Sequence, residues 1–169
     1  VLTTGCVTFV VGGLRALRQH DLKLLLAFGT VSQLGLMVMC FGAGTEAATM
    51  AGFGLLVAHA LYKATLFMVV GAVDEQTKTR DIRLLPVFDR RWRLIERVSL
   101  AALVSMVGIP LTAGFVGKEL AYEAFLHASF GWSDLVLGVA VVGSLFSSVY
   151  AGQLADGAFG AVGELPGVD

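Results

Sequence analysis

Residues 55–73 read LLVAHALYKATLFMVVGAV, an apolar stretch with a histidine and a lysine near its middle. Apolar residues continue on its N-terminal side back to residue 47. Since a helix needs about 20 residues to cross the hydrocarbon of a bilayer, this stretch is long enough to span a membrane. The sequence therefore predicts that His59 and Lys63 lie inside a membrane, where ionisable side chains are costly.

The composition of the whole chain agrees with a membrane protein. Of its 169 residues, 56% are hydrophobic and 15% are charged, and the mean hydropathy is +0.80. Soluble domains carry about 25% charged residues. We therefore interpret the chain as an integral membrane protein, which excludes the class of soluble globular domains.

Five apolar stretches divide the chain, at residues 1–17, 24–44, 47–73, 98–126 and 134–154. They lack the apolar/polar alternation of barrel strands, so they predict an all-α integral membrane bundle of about five transmembrane helices. We expect this bundle to occupy residues 1–155, with a basic loop at 74–97 inside it and a flexible C-terminal end at 156–169. Because the chain begins within an apolar stretch, we expect it to be a fragment of a longer protein.

Most of the basic residues fall in the first and third connections between these stretches. Ten of the twelve lysines and arginines lie there, namely Arg15, Arg18, Lys23, Lys78, Arg80, Arg83, Arg90, Arg91, Arg93 and Arg97. With five spans these two connections share a side, and the positive-inside rule makes that side the cytoplasm. The third connection also predicts a short amphipathic surface helix around residues 90–97.

The other two basic residues, Lys63 and Lys118, lie inside predicted spans. A lysine near a helix end can extend its amine back to water. Lys63 lies about ten residues, or roughly 15 Å, from the end of its span, farther than the ~6 Å that an extended lysine reaches. Since a lysine in mid-membrane costs about 2.5–3.5 kcal/mol on insertion scales, we interpret Lys63 as a functional residue.

His59 precedes Lys63 by four residues, so the two side chains share a helix face. Repulsion between two cations and the loss of hydration both disfavour their charged forms. A lysine in that setting can exchange a proton near neutral pH, which is the chemistry that a proton relay requires. The alternative is that His59 is an ordinary buried histidine.

The fourth apolar stretch has the features of a discontinuous helix. Pro110 removes a backbone donor and clashes with the preceding turn, and Gly108 lies close to it. Transporters use such breaks to line hydrated cavities near the middle of the membrane. Lys118 and Glu119 point about 100° apart on a helix, so each needs a partner elsewhere. The alternative for Lys118 is an interfacial position near Glu123.

Three uncharged polar residues in the spans, Ser32, Gln33 and Tyr62, are candidates to support a proton path, or alternatively to join helices by hydrogen bonds. Lys23 is interfacial by its position. The sequence shows no nucleotide-binding loop, cysteine cluster or covalent nucleophile. These features predict a secondary transporter driven by an ion gradient rather than an enzyme, without a cofactor, a metal or a nucleic-acid partner.

Three motifs occur in order, DLKLLLAFGTVSQLG at 21–35, HALYKATLF at 59–67 and IPLTAGFVGKE at 109–119. With them the chain resembles, over nearly its whole length, the antiporter-like subunits that complex I shares with Mrp-type cation/proton antiporters. The stretch LFMVVGAVDEQTKTRDIRLL at 66–85 is most similar to the large A-type subunit of the Mrp antiporter. This resemblance implies two inverted repeats of five helices, of which this chain is similar to the second.

The resemblance also implies a proton path through buried lysines, histidines and water. The residues that match its motifs are Lys63, His59, Lys118, Glu119 and Lys23. The family often has a second histidine one turn before its HAxxK motif, and this chain has Leu55 there. At that point the relay must use water or a shorter route.

The expected function is that of one subunit of a hetero-oligomeric Na⁺/H⁺ antiporter, a multi-pass protein of the bacterial plasma membrane. The transported ions would be H⁺ and, if the chain belongs to an Mrp antiporter, Na⁺ or another monovalent cation. Two alternatives remain open. One is a proton-pumping subunit of NADH:quinone oxidoreductase, with translocase activity only as part of complex I, and the other is an assembly subunit that conducts no ions.

Overall fold

The computed structural model describes residues 1–85, 92–128 and 131–159, and these residues fold into helices joined by short connections. The helices are α1 (Leu2–Leu17), α2 (Leu22–Gly42), α3 (Glu46–Thr77), α4 (Arg93–Val107), α5 (Ala113–Leu126) and α6 (Ser133–Phe159). The described part of the chain contains no β-strand, apart from one isolated bridge between Asp21 and Asp81. The predicted all-α class is therefore confirmed.

Polar side chains mark the start of three of the apolar helices. An Asp21 carboxylate oxygen accepts hydrogen bonds from the backbone nitrogens of Lys23 and Leu24, at 2.8 and 2.9 Å, where α2 begins. Thr45 and Thr112 cap α3 and α5 in the same way. Each cap satisfies a backbone donor that has no partner inside the helix, which matters most where water is scarce.

Three of the helices are long and apolar enough to cross a membrane, namely α2, α3 and α6. The helix α1 is apolar but has 16 residues, and α4 and α5 have 15 and 14. The fourth apolar stretch thus contains two helices, separated by residues 108–112. The described residues therefore fit a membrane bundle, and the count of five spans stays a prediction.

Small residues let the first two helices pack closely. A methyl group at Gly12 of α1 would lie 2.6 Å from the Ser32 backbone nitrogen of α2. A methyl group at Gly35 would collide with the backbone of Phe9 in the same interface. Since lipid provides no hydrophobic driving force between helices, close backbone contact of this kind is a main source of their association.

Buried apolar residues form two clusters, and polar side chains separate them along the helices. On α2, Ser32 and Gln33 fall between Leu26 of one cluster and Leu36 of the other. On α6, Ser147 falls between Ala140 and Tyr150 in the same manner. The bundle therefore has a layer of buried polar groups between two apolar halves.

The first and third connections lie side by side. This is expected if five spans place both of them on the same side of the membrane. Leu22 donates its backbone N–H to the Arg80 carbonyl at 3.0 Å, and Ile82 donates to the His20 carbonyl at 2.9 Å. Next to this pair, hydrogen bonds from the Arg83 guanidinium and backbone N–H hold the pKa of the Asp81 carboxyl well below its usual value. The two basic connections thus form one surface.

Two predicted segments fall partly outside the described residues. In the predicted surface helix at 90–97, Arg90 and Arg91 lie outside them, while Arg93 begins α4, which continues into the apolar stretch. Of the predicted C-terminal end at 156–169, residues 160–169 lie outside them, and α6 extends to Phe159.

Candidate functional site

Lys63 lies on α3 in the interior of the bundle, with 4% of its surface exposed. Its Nζ donates a hydrogen bond to the Leu26 carbonyl of α2 at 3.0 Å. On another side, Nζ lies 5.8 Å from the centroid of the Tyr150 ring of α6, within the range of a cation–π interaction. The ammonium is therefore held between three helices.

Gly29 of α2 provides the space for this arrangement. A methyl group there would lie 3.0 Å from Lys63 Nζ and 3.1 Å from the Tyr150 ring. Any side chain larger than hydrogen would thus compete with the ammonium and the ring for the same volume. Close packing therefore explains why a glycine occupies position 29 of the motif at 21–35, which the sequence alone did not reveal.

His59 is buried one turn before Lys63, and its partner is on its own helix. The distance from His59 Nδ1 to the Tyr62 hydroxyl is 3.2 Å, and the two rings meet edge to face. The structure thus gives His59 and Lys63 separate hydrogen-bond partners, although the two residues share a helix face. Tyr62 takes part in the site through His59.

Lys118 lies on α5 and binds the end of α4. Its Nζ donates hydrogen bonds to the Met106 carbonyl at 3.0 Å and to the Val107 carbonyl at 2.8 Å. Carbonyls in the last turn of a helix receive no hydrogen bond from within that helix, so they need donors from elsewhere. With 5% of its surface exposed, Lys118 is buried rather than interfacial.

The chain between α4 and α5 adopts conformations that interrupt a helix. Gly108 has a φ of 87°, in the left-handed region that favours glycine, and Pro110 follows in the non-helical segment. A methyl group at Gly108 would lie 3.0 Å from Cδ of Lys118. Gly108 therefore both ends α4 and leaves room for the lysine that binds this end.

The remaining predicted site residues are in different environments. Lys23 and Glu119 are exposed on the surface of the described chain, and Glu119 directly follows the buried Lys118 on α5. Ser32 donates a hydrogen bond to the Phe9 carbonyl of α1 at 2.7 Å, which fits the alternative that it joins helices. Gln33 donates through Nε2 to Ser147 Oγ of α6 at 2.7 Å.

Sequence reasoning missed Ser147 and Tyr150. Both are fully buried, and the Tyr150 hydroxyl donates to Ser147 Oγ at 3.3 Å. Their spacing of three residues places them on one face of α6, which is the only signal that the sequence carried. Neither residue is charged, so neither stood out within an apolar span.

Leu55 lies at the contact between α3 and α5. A methyl group at Gly117 would lie 3.1 Å from the Leu55 backbone nitrogen, so α3 and α5 approach closely at this point. Leu55 has 3% of its surface exposed and belongs to an apolar cluster. The contact next to Lys118 is therefore apolar.

Ion pairs in the described residues join Arg80 to Asp74 and Arg83 to Asp81, both outside the apolar helical segments. Within this part of the chain, Lys63 and Lys118 have backbone carbonyls as partners rather than carboxylates. A carbonyl stabilises an ammonium without carrying a formal charge. Each lysine can therefore lose its proton without leaving an unpaired anion in the bundle.

Comparison with known proteins agrees with this arrangement. Residues 1–147 match the family described as NADH:quinone oxidoreductase/Mrp antiporter, transmembrane. The A-type subunit of the Na⁺/H⁺ antiporter of Bacillus subtilis is 35% identical, and the match covers 91% of this chain and 22% of that protein. The chain thus spans about a fifth of the length of the curated relatives it matches.

Solved structures show the same fold. A chain of the Mrp complex from Dietzia sp. DQ12-45-1b is 38% identical with a TM-score of 0.85, covering 96% of this chain and 18% of its own. A chain of respiratory complex I from Thermus thermophilus with bound NADH has the same TM-score at 26% identity, covering 99% and 34%. The fold is thus common to both assemblies, and the identity is higher to the Mrp chain. The resemblance drawn from the three motifs is confirmed, and the chain belongs to the family of NADH:quinone oxidoreductase and Mrp antiporter membrane subunits.

Proposed function

We propose that this chain is the part of a Na⁺/H⁺ antiporter subunit in which Lys63, His59 and Lys118 carry protons between hydrated cavities. The observation that carries the proposal is the pair of buried ammonium groups bonded to neutral carbonyls. Such a partner holds the charged form in place and also tolerates the neutral form. This is the property that a residue needs if it is to be loaded and unloaded with protons.

In this mechanism a change of charge at one lysine alters the electrostatic potential at the next. Interactions between charges are far stronger in a low-dielectric interior than in water, so the loss of one proton favours uptake of another nearby. Because Leu55 provides no proton-carrying group at the α3–α5 contact, water must connect the two halves of the path. Lys23, which is exposed in the first turn of α2, fits an end of the path, whereas Glu119 is exposed next to Lys118 on α5.

The same proposal assigns Na⁺ as the exchanged cation and other antiporter subunits as partners. It rests on the similarity to the A-type subunit of a relative named as a Na⁺/H⁺ antiporter and to a chain of an Mrp complex. On this basis the protein is a secondary transporter rather than an enzyme and lies in the plasma membrane of a bacterium.

We further propose that α4 and α5 together form one interrupted membrane span, which gives five spans in all. At 1.5 Å per residue, helices of 15 and 14 residues are each about 20 Å long, short of the ~30 Å hydrocarbon thickness. Lys118 links the end of α4 to α5, which supports their action as one unit. The backbone freed at residues 108–112 would then face a hydrated cavity.

Replacement of Lys63 in the complete antiporter complex tests this function. We expect Lys63→Ala to lower Na⁺-driven proton movement at least about tenfold in membrane vesicles that lack NADH dehydrogenase, since the variant removes a proton-carrying group. Lys78→Ala is the matched control, because Lys78 is an exposed lysine just beyond α3. Assembly is checked by copurification of the other subunits.

The two alternatives predict different results. Unchanged exchange in an assembled Lys63→Ala complex would contradict proton conduction and favour an assembly role. If the unmodified complex shows no exchange in these vesicles, the chain instead belongs to a redox-driven pump.

A further inference from the structure

One buried polar atom lacks a partner among the described residues. The side-chain oxygen Oε1 of Gln33 forms no hydrogen bond with them, although 1% of the residue is exposed. A buried acceptor without a partner costs about 1–3 kcal/mol, so nearly all such groups are satisfied by protein or by ordered water. The other polar side-chain atom, Nε2, already donates to Ser147.

The hydrogen bonds of the neighbouring protein groups are directed elsewhere in this structure. Ser147 Oγ receives hydrogen bonds from Gln33 and from the Tyr150 hydroxyl, and it directs its own proton to the Gly143 carbonyl at 3.2 Å. The Tyr150 hydroxyl directs its proton to Ser147, and its oxygen, which also lies close to the Gln33 side chain, keeps acceptor capacity. The cluster thus presents two acceptors, Gln33 Oε1 and the Tyr150 oxygen.

Lys63 supplies the complementary donor beside this cluster. Its ammonium has three N–H groups, and the Leu26 carbonyl accepts one of them. Gly29 and Gln33 are one turn apart on the same face of α2, and the absence of a side chain at Gly29 lets Nζ and the Tyr150 ring approach this face closely. A water molecule donating to both acceptors and accepting from Nζ would make three hydrogen bonds, the usual number for buried water.

We propose that Gln33 and Tyr150 hold a water molecule next to Lys63, and that this water is the first acceptor of the Lys63 proton. The inference rests on the proposed function. In the transfer, an N–H bond of Lys63 breaks and the nitrogen keeps the electron pair, while the water oxygen gains the proton. The water then gives up its hydrogen bond to the Tyr150 oxygen, and that O–H bond breaks as its proton passes to the next water. Gln33 and Tyr150 are positioning residues, because they hold the water and transfer no proton themselves.

Two variants of the complete complex test the water site. Gln33→Met keeps the length of the side chain and removes both polar atoms, and Tyr150→Phe keeps the ring and removes the hydroxyl. We expect Gln33→Met to lower the maximal exchange rate about fivefold, the equivalent of one lost hydrogen bond, with a smaller loss in Tyr150→Phe. The apparent KM for Na⁺ should stay within about twofold, because the lost interaction serves proton transfer.

The matched control is Tyr122→Phe. The Tyr122 hydroxyl also bonds a serine of α6, Ser144, but it belongs to α5 and is not among the groups around Lys63. This variant should exchange at the normal rate. A direct readout is a structure of the complex at a resolution that shows water, where we expect density within hydrogen-bonding distance of Gln33 Oε1, and none at that place in Gln33→Met.

Several results would overturn the inference. These are the absence of water density near Gln33 Oε1, a protein atom hydrogen-bonded to Oε1, or normal exchange in both Gln33→Met and Tyr150→Phe. A higher apparent KM for Na⁺ at an unchanged maximal rate would instead make the cluster a cation ligand. Lost exchange in Lys63→Ala with normal exchange in both Gln33→Met and Tyr150→Phe overturns this inference alone, whereas normal exchange in Lys63→Ala overturns the proposed function as well.

Discussion

Lys118 combines a structural and an electrostatic role in one side chain. It donates hydrogen bonds to the last carbonyls of α4, which have no partner within their own helix. The interaction of a cation with a helix C-terminus is also favourable through the helix dipole. Through these hydrogen bonds Lys118 also ties α5 to the end of α4.

Gly108 is the residue on which the contact between Lys118 and the end of α4 depends most directly. We expect Gly108→Ala to destabilise the complex by about 1–2 kcal/mol, because a non-glycine residue at a φ of 87° is strained. Its added methyl group would also press on the Lys118 side chain and weaken the bonds to α4. The measurement is the thermal unfolding of the purified complex, together with its exchange rate.

The control for Gly108→Ala is Gly71→Ala on α3. A methyl group at Gly71 meets no atom of the described chain within 4 Å, and alanine favours a helix more than glycine does. This variant should be neutral or slightly stabilising. If Gly108→Ala unfolds at the same temperature as Gly71→Ala, the assigned strain at Gly108 is wrong.

At the scale of residues, charge was the informative signal in the sequence. The burial of Lys63, His59 and Lys118 could be predicted, because an ionisable residue in an apolar span stands out against its surroundings. Their partners could not, since Leu26, Met106 and Val107 act through backbone carbonyls, which every residue has. Their role in proton conduction stays a prediction.

At the scale of elements, the contact between α1 and α2 is built on glycine. Gly5, Gly12 and Gly35 all lie where a methyl group would collide with the facing helix. Close packing of this kind brings backbones together and lets Ser32 reach the Phe9 carbonyl at 2.7 Å. The helix pair is therefore specified by small residues more than by the large apolar ones that surround it.

Gly35→Ala should separate this helix pair. The added methyl group would collide with the Phe9 backbone nitrogen, and backbone cannot move aside as the end of a flexible side chain can. We expect a loss of about 1–3 kcal/mol, the usual cost of an overpacked interior. Thermal unfolding of the complex in detergent measures it.

The matched substitution is Gly138→Ala on α6, where a methyl group meets nothing within 4 Å in the described chain. It should leave the unfolding temperature unchanged or raise it slightly. Equal unfolding temperatures for the Gly35 and Gly138 variants would show that the close contact of α1 and α2 is not a source of stability.

The sequence predicted the apolar cores of the elements better than their ends. The apolar stretch at 24–44 corresponds to α2, but the stretch at 47–73 belongs to a helix that continues to Thr77. Hydropathy falls where a helix leaves the hydrocarbon, whereas its backbone hydrogen bonds continue in water. The same reason explains why α4 begins at Arg93, among charged residues.

For the whole molecule, the distribution of charge distinguishes the two ends of the bundle. The backbone hydrogen bonds between residues 20–22 and 80–82 join the first and third connections into one basic surface. The opposite end carries acidic residues instead, such as Glu46 and Glu123. The sequence could predict this asymmetry because it depends only on where the charged residues fall along the chain, while the pairing of the two connections depends on how the helices pack.

The assignment of the basic surface to the cytoplasm can be tested with cysteine variants. Arg18→Cys lies on the basic surface and Glu46→Cys at the opposite end, and both positions are exposed. By the positive-inside rule, a membrane-impermeant thiol reagent should label Arg18→Cys only in inside-out vesicles and Glu46→Cys only in right-side-out vesicles. The parent chain sets the background, since Cys40 is buried and Cys6 is half-buried. The reverse pattern would invert the bundle in the membrane, and with it the direction in which Lys63 and Lys118 would carry protons.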